Sequence, residues 1–383
     1  MLSIRAEFRK DDHRTVFNAP SNDYGVDIVL QNLGETDMTK TKQFCAHLGG
    51  DVRELAVLID RFLDIDELNF LAKRLDSFDD RELNQFKAAV LVAKPVELKD
   101  MINLTFNLQN YTLITDFSDL SDVGKRHRLN VEMAIPTDDS YDYYALGESL
   151  VSSGTGVMTS YGALFVNGLP MEDLYDGQTF PQYYYEDCVF GVAIENAGKQ
   201  EYLYLPCDDS AIDRAIHRLG TDSVNNVGLK NLDSGFVPIS LDQFLTGICP
   251  NYDNTDIYDL NKLASAVTEF SKSDFEKLLA VCDYAETDDF GKAALLAENL
   301  DSFEYAKGAQ DTDDLGKYLI KDSGSYSYDD ALDNYYDYEA LGADTEGNQN
   351  GRFTSYGYVG IKDDVTLDEI LGEESDEMTM GGI

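Results

Sequence analysis

Carboxylates come in adjacent pairs along this chain: Asp138-Asp139, Asp208-Asp209, Asp288-Asp289, Asp313-Asp314, Asp329-Asp330 and Asp363-Asp364. Two carboxyl groups facing each other across a sugar pocket do the acid–base work of glycoside hydrolysis, but that chemistry needs one pair at a defined separation. With 72 Asp and Glu residues, pairs occur everywhere and the signal is lost. The stretch YDNTDIYDL from Tyr252 to Leu260 has the oxygens of a calcium loop and lacks the glycine of its sharp turn. SGTGVMTSYG, ending at Gly162, imitates a phosphate loop but has neither the third glycine nor a lysine, and reads as a turn.

The remaining reactive side chains are sparse. His13, His47, His127 and His217 show no metal-ligand spacing. Cys45, Cys188, Cys207, Cys249 and Cys282 are odd in number, contain no C-x-x-C pair and suit a reducing compartment. Loop signals surround Cys45 and Cys249, while Cys282 falls on an apolar helical stripe; all are expected to be inert thiols. The chain is therefore expected not to be an enzyme, with no catalytic residue, cofactor or metal site. Tyrosine clusters such as PQYYYED and NYYDYEALG lack the basic neighbours of a base-stacking platform, so core and interface packing is the expected use.

Charge is the dominant property. The 383 residues carry a formal net charge of -42 beside an ordinary 43% of hydrophobic residues, so the chain folds and its surface repels phosphates and anionic membranes. Residues 283–383 alone hold 26 acidic and 6 basic groups. Basic proteins are the expected partners, with no direct nucleic-acid binding. The opening MLSIRAEFRKDD has no apolar signal core and no apolar run reaches the ~18 residues of a membrane span, so a cytoplasmic location is expected.

The phrase YDYYALG at Tyr141 returns as YDYEALG at Tyr336, and the TSYG ending at Gly162 returns at Gly357, both 195 residues on. In the middle of the chain the offset is 192, with Leu68-Asn69, Asn107-Leu108 and Gly124-Lys125 matching Leu260-Asn261, Asn299-Leu300 and Gly316-Lys317. Near the amino end it is 186, with Pro20 and Leu33-Gly34 matching Pro206 and Leu219-Gly220. Such a frame predicts a tandem duplication. The expected boundaries are repeat 1 at 1–169 (1–60 α/β, 61–110 helical, 111–169 α/β), a connector at 170–187 and repeat 2 at 188–372 (188–250 α/β, 251–300 helical, 301–372 α/β). An acidic, disordered tail follows at 373–383.

The expected fold class is α+β, an elongated pair of similar units. Each amino-terminal block reads as a hairpin followed by a helix: VFGVAIENAGKQEYLYLP supplies two strands, and Ile212, Ala215, Ile216 and Leu219 recur at helical spacing before Gly220. Helical stripes follow at Leu68, Leu71, Ala72 and Leu75, then at Leu83, Phe86 and Val90, then at Leu98, Met101 and Ile102. Asp79 with Glu82 predicts a capping box. Each carboxyl block predicts an acidic helix start, as in DTDDLGKYLIKDSG, before strands such as RFTSYGYVGI.

Three uses of the acidity stay open at this level. An acidic fold of a salt-adapted organism predicts evenly spread acids. An acidic chaperone or interaction protein for basic partners usually keeps its charge in a low-complexity run. A DNA mimic holds carboxylates in fixed places; 42 net charges equal the phosphates of roughly 21 base pairs.

The stretch TDDLGKYLIKDSGSYSYDDALDNYYDYEALGAD from Thr312 to Asp344, followed by GRFTSYGYVGI, resembles the carboxyl domain of the ArdA antirestriction family. That family pairs an acidic D-D helix with a later Y-[IV]-D-Y-x-x-x-G-R-D phrase, here with Ala343 in place of the arginine. DIDELNFLAKRLDSF from Asp64 to Phe78 is similar to its middle helix. The resemblance implies a DNA-mimic antirestriction protein, found on mobile elements, that occupies the DNA-binding groove of a type I restriction-modification enzyme. The duplication then implies a pseudo-dimer within one chain, with a further homodimer left open.

The mimic surface is expected to include Asp311, Asp313, Asp314, Asp322, Asp329, Asp330, Asp333, Asp337, Glu339 and Asp344, with Asp138, Asp139, Asp142 and Glu148 as counterparts in repeat 1. Asp142 and Asp337, each flanked by tyrosines, have an alternative use in bonding backbone amides.

Overall fold

A computed structural model of the chain describes residues 2–132, 141–183, 185, 187–233, 238, 240–252, 255–362 and 365–372. It divides into two compact units, Met1–Tyr185 with Asp213–Leu219, and Glu186–Ile212 with Gly220–Ile383. Helices and four small antiparallel sheets make it a mixed α and β chain. Among the described residues no helix is long and apolar enough to cross a membrane.

Unit 1 opens with β1 (Ile4–Lys10), β2 (His13–Ala19), α1 (Asp23–Asn32), β3 (Lys42–Gly50) and β4 (Arg61–Asp64), whose sheet order is β2-β1-β3-β4. Alternation buries Ile4, Ala6 and Phe8 on one face of β1. Three helices follow: α2 (Ile65–Asp76), α3 (Asp80–Ala93) and α4 (Leu98–Phe106). Their stripes bury Leu68, Leu71, Ala72 and Leu75, then Phe86 and Val90, then Leu98, Met101 and Ile102, in one hydrophobic core. Asp79 and Glu82 form the reciprocal capping box of α3. The unit continues with β5 (Tyr111–Ile114), α5 (Leu120–Glu132), α6 (Tyr143–Ser152), β6 (Val157–Thr159) and β7 (Gly162–Val166), in sheet order β5-β7-β6.

The segment after β7 packs onto α2 and α4. Asn103 donates to the Tyr175 carbonyl at 2.9 Å and accepts its N–H at 2.8 Å, and Asn107 does the same for Glu172 at 2.8 and 2.9 Å. Two amide side chains thus replace the backbone pairing that this irregular stretch cannot make for itself. Tyr175 is buried, with its ring stacked on Phe180, and its hydroxyl donates to Glu67 at 2.7 Å. Arg214, in the Asp213–Leu219 segment of the same unit, is also buried and bonds Asp27 at 2.6 Å and Asp66 at 3.1 Å. Those carboxylates compensate the guanidinium for its lost hydration.

Glu67 titrates abnormally in this setting. Burial pushes its carboxyl up to about 7 from 4.5, against the lowering effect of the Tyr175 hydrogen bond. The folded state then holds the proton more tightly than the unfolded chain, so this group's contribution to stability falls as pH rises from about 4.5 to about 7. Glu67→Gln keeps an acceptor for Tyr175 and removes the charge. We expect it to raise the melting temperature at pH 8 by several degrees, to match wild type near pH 4, and to flatten the slope between; thermal unfolding monitored by circular dichroism checks this.

Unit 2 holds β8 (Phe190–Asn196), β9 (Lys199–Leu205), the start of α7 (Asp209–Arg218), β10 (Gly228–Asp233) and α8 (Leu241–Ile248). Its first sheet has the order β10-β8-β9, and Gly220, after α7, takes a φ of +79°. The helical layer is α9 (Ile257–Ala266), α10 (Lys272–Ala285) and α11 (Phe290–Glu298). The carboxyl block is β11 (Phe303–Lys307), α12 (Thr312–Lys321), α13 (Tyr338–Asn348), β12 (Arg352–Thr354), β13 (Gly357–Ile361) and α14 (Leu367–Leu371), with sheet order β11-β13-β12. Residues 373–383, expected as a tail, lie outside the described residues.

One local expectation is corrected. Cys45 sits within β3, fully buried, rather than in a loop. The turn signals at Gly49 and Gly50 belong to the strand's end. Burial pushes the Cys45 thiol up to about 11 and the Cys282 thiol up to about 12, so both stay protonated at neutral pH.

Candidate functional site

The two Tyr-Asp-Tyr phrases start two equivalent helices. Asp337 accepts the Ala340 N–H at 3.1 Å as the N-cap of α13, and Asp142 accepts the Ala145 N–H at 2.9 Å as the N-cap of α6. Five residues after each cap stands a glycine, Gly342 or Gly147. A Cβ on Gly342 would lie 1.9 Å from the Thr312 carbonyl oxygen, and one on Gly316 1.9 Å from that of Tyr338. In unit 1 a Cβ on Gly147 would meet the Leu120 oxygen at 1.9 Å, and one on Gly124 the Tyr143 oxygen at 2.0 Å. α12 with α13, and α5 with α6, therefore cross backbone to backbone, an approach that only glycine permits. The repeated residues are the cap and the contact of a tight helical pair.

The TSYG copies are hairpin turns. Thr354 donates to the Gly357 carbonyl at 2.7 Å and accepts the Tyr356 N–H at 3.2 Å, and Thr159 repeats both bonds around Gly162 at 2.8 and 3.1 Å. Gly357 and Gly162 take φ of +139° and +134°.

Between α12 and α13 the chain makes a 3-10 turn, Asp330–Tyr335. Asp333 holds this turn down, bonded to Lys321 at 2.6 Å, the Tyr338 hydroxyl at 2.6 Å and the Tyr328 hydroxyl at 2.9 Å. Lys321 also lies 5.2 Å from the ring centres of both tyrosines. The Lys321 ammonium, followed by the two hydroxyls, holds the Asp333 carboxyl down to about 2. In unit 1, Arg128 lies 3.8 Å from the Tyr141 ring centre and 5.9 Å from that of Tyr143.

The expected surface acids thus differ in their surroundings. Asp322, Asp330, Glu339 and Asp344 are exposed, as are the caps Asp311, Asp329 and Asp337. Asp311 accepts the Asp314 N–H at 2.9 Å, and Asp329 accepts that of Ala331 at 2.9 Å. Asp313, Asp314 and Asp333 are half-buried, and Asp313 pairs with Lys317. Side-chain oxygens of Asp311, Asp313 and Asp314 come within 4.8 Å of one another, which the amide and ammonium donors at this helix start make tolerable. Glu148 and Asp142 are exposed on unit 1; Asp138 and Asp139 lie outside the described residues.

Sequence reasoning missed three features here. The pinning of Asp333 depends on Lys321, twelve residues upstream, and no local signal marks it. The glycine crossings were legible only as repeated glycines. Tyr335, in a tyrosine cluster expected to serve core or interface packing, stands 84% exposed, and nearby Leu332 49%.

No curated protein matches the chain. A family model described as antirestriction protein (ArdA) matches residues 198–360, a span that runs from the turn before β9 into β13 and includes the whole α12–α13 pair. Over residues 198–360 the chain is thus similar to the ArdA antirestriction protein family.

Proposed function

We propose that this protein is an antirestriction inhibitor that acts as a DNA mimic. Its carboxylates occupy the DNA-binding groove of a type I restriction-modification enzyme and exclude the duplex. The observation that carries the reading is the set of exposed acids on the α12–α13 pair and the turn between its helices, inside the family-matched segment: Asp311, Asp322, Asp329, Asp330, Asp337, Glu339 and Asp344. A glycine-locked crossing and side-chain caps hold them at set positions, as a phosphate backbone holds its charges. Such an array steers association with a basic groove and matches it in place. No chemistry is required of the inhibitor, and the cytoplasm, where the enzyme meets DNA, is its proposed location.

The duplication belongs to the same proposal. The chain is taken as two diverged copies, 1–169 and 188–372, joined by 170–187 and followed by a tail. The parallel sheet orders β5-β7-β6 and β11-β13-β12 support this, as do the paired caps and glycine crossings. One chain then supplies two groove-binding units without the concentration dependence of a dimer.

Cleavage inhibition tests the reading. Purified protein should inhibit a type I enzyme competitively with DNA, so that added duplex restores cleavage. Inhibition that duplex does not relieve, or none at all, contradicts it.

A further inference from the structure

The acidic face of unit 2 carries large apolar side chains in the open. Tyr335 is 84% exposed, Tyr326 52% and Leu332 49%. Leu332 and Tyr335 lie on the 3-10 turn Asp330–Tyr335, between exposed Asp329, Asp330 and Asp337. Unit 1 has no counterpart of this turn in its sequence, since the residues before Tyr141 lack the Ala331-Leu332-Asp333-Asn334 stretch.

The turn is anchored from beneath. Asp333 is fixed by Lys321, Tyr328 and Tyr338, and the Asp329 N–H donates to the Tyr336 hydroxyl at 3.2 Å. With those contacts made inward, Leu332 and Tyr335 are presented outward on a preorganised support, at little further entropic cost on binding. A tyrosine and a leucine flanked in the chain by exposed carboxylates fit a surface of opposite pattern: arginine or lysine heads beside an apolar floor, with guanidinium planes free to stack on the phenol ring. Charge alone gives rate and orientation, whereas buried aromatic anchors give affinity that salt does not screen.

We propose that Leu332 and Tyr335 are the apolar anchors with which unit 2 seats in the basic groove of its target enzyme. The inference rests on the DNA-mimic reading and adds a component that DNA does not possess. The anchors set how tightly this protein outcompetes duplex once salt has weakened the ion pairs, and they assign the tighter contact to unit 2.

The test uses the full chain with the double substitution Leu332→Ala/Tyr335→Ala, and Met158→Ala, a 74% exposed side chain on unit 1, as control. Displacement of labelled duplex from a type I enzyme is measured at low and high salt, with circular dichroism to verify folding. The double variant is expected to lose about tenfold or more in affinity at both salts, with an unchanged salt slope, while the control matches wild type. Wild-type affinity in the double variant overturns the inference, as does a deficit that vanishes at high salt. A double variant that displaces duplex normally but changes its sedimentation assigns the patch to self-association and also overturns it. A wild-type chain that displaces no duplex overturns the mimic reading itself, and the anchors with it.

Discussion

Replacement of Gly342 by valine is expected to break the α12–α13 pair and abolish inhibition. The added Cβ would start 1.9 Å from the Thr312 carbonyl oxygen and 3.1 Å from the Gly316 amide nitrogen, both backbone atoms that no rotamer change can move. The helices would have to separate, losing the packing of Leu315 and Leu319 against Leu341. Overpacking against side chains costs about 1–3 kcal/mol, and a clash with backbone belongs above that range. The control lies on the same helix: a Cβ on Gly347 meets nothing within 4 Å. Gly347→Ala is expected to stabilise by up to about 1 kcal/mol, through the helix preference of alanine. Urea unfolding of the two variants beside wild type checks both signs, and equal midpoints would refute the crossing as the reason for this glycine.

The second large effect is electrostatic. Asp322, Asp330, Glu339 and Asp344 are exposed and none is the side-chain N-cap of a helix, so their replacement by Asn and Gln removes four charges while an amide oxygen keeps an acceptor where Asp330 bonds Tyr328 and Asp344 bonds Asn348. Asp333 must be spared because its carboxylate ties Lys321 to two tyrosines. The quadruple variant is expected to keep the wild-type melting temperature within a few degrees, since surface substitutions of this kind cost little. Its affinity for the enzyme should fall by roughly 10–1000-fold at low salt, with a flatter salt dependence. Isothermal titration of the enzyme at several salt concentrations reads both quantities. Retained affinity in a folded variant would place the binding surface elsewhere.

Much of the scaffold was legible because its causes are local. Apolar residues at helical spacing gave α2, α3 and α4, and the Asp79–Glu82 pair marked the start of α3 three residues after α2 ends at Asp76. The family resemblance was carried by residues 312–344, which the matched span of 198–360 encloses, and by residues 64–78, which lie outside it. What stayed hidden depends on contacts across the chain. Cys45 lies beside turn residues in sequence but is held in a central strand by its pairing with β1 and β4. The Pro and Gly content of residues 170–187 reads as a connector, yet Asn103 and Asn107 bond backbone groups of Tyr175 and Glu172 from 72 and 65 residues away. Asp333 looks like any of its acidic neighbours, and only folding brings Lys321 under it. Alternation and periodicity report which face is buried; they carry no record of which exposed acid is already engaged.

Whether fixed carboxylates take the place of phosphates is tested most directly by the salt dependence of binding. The affinity of one type I enzyme for a duplex and for this protein should be measured over the same range of salt concentrations, with mutual displacement as a cross-check. Two steep, similar slopes of log affinity against log salt, with each ligand excluding the other, are the predicted result. A flat slope for the protein, or simultaneous binding of both ligands, would contradict it.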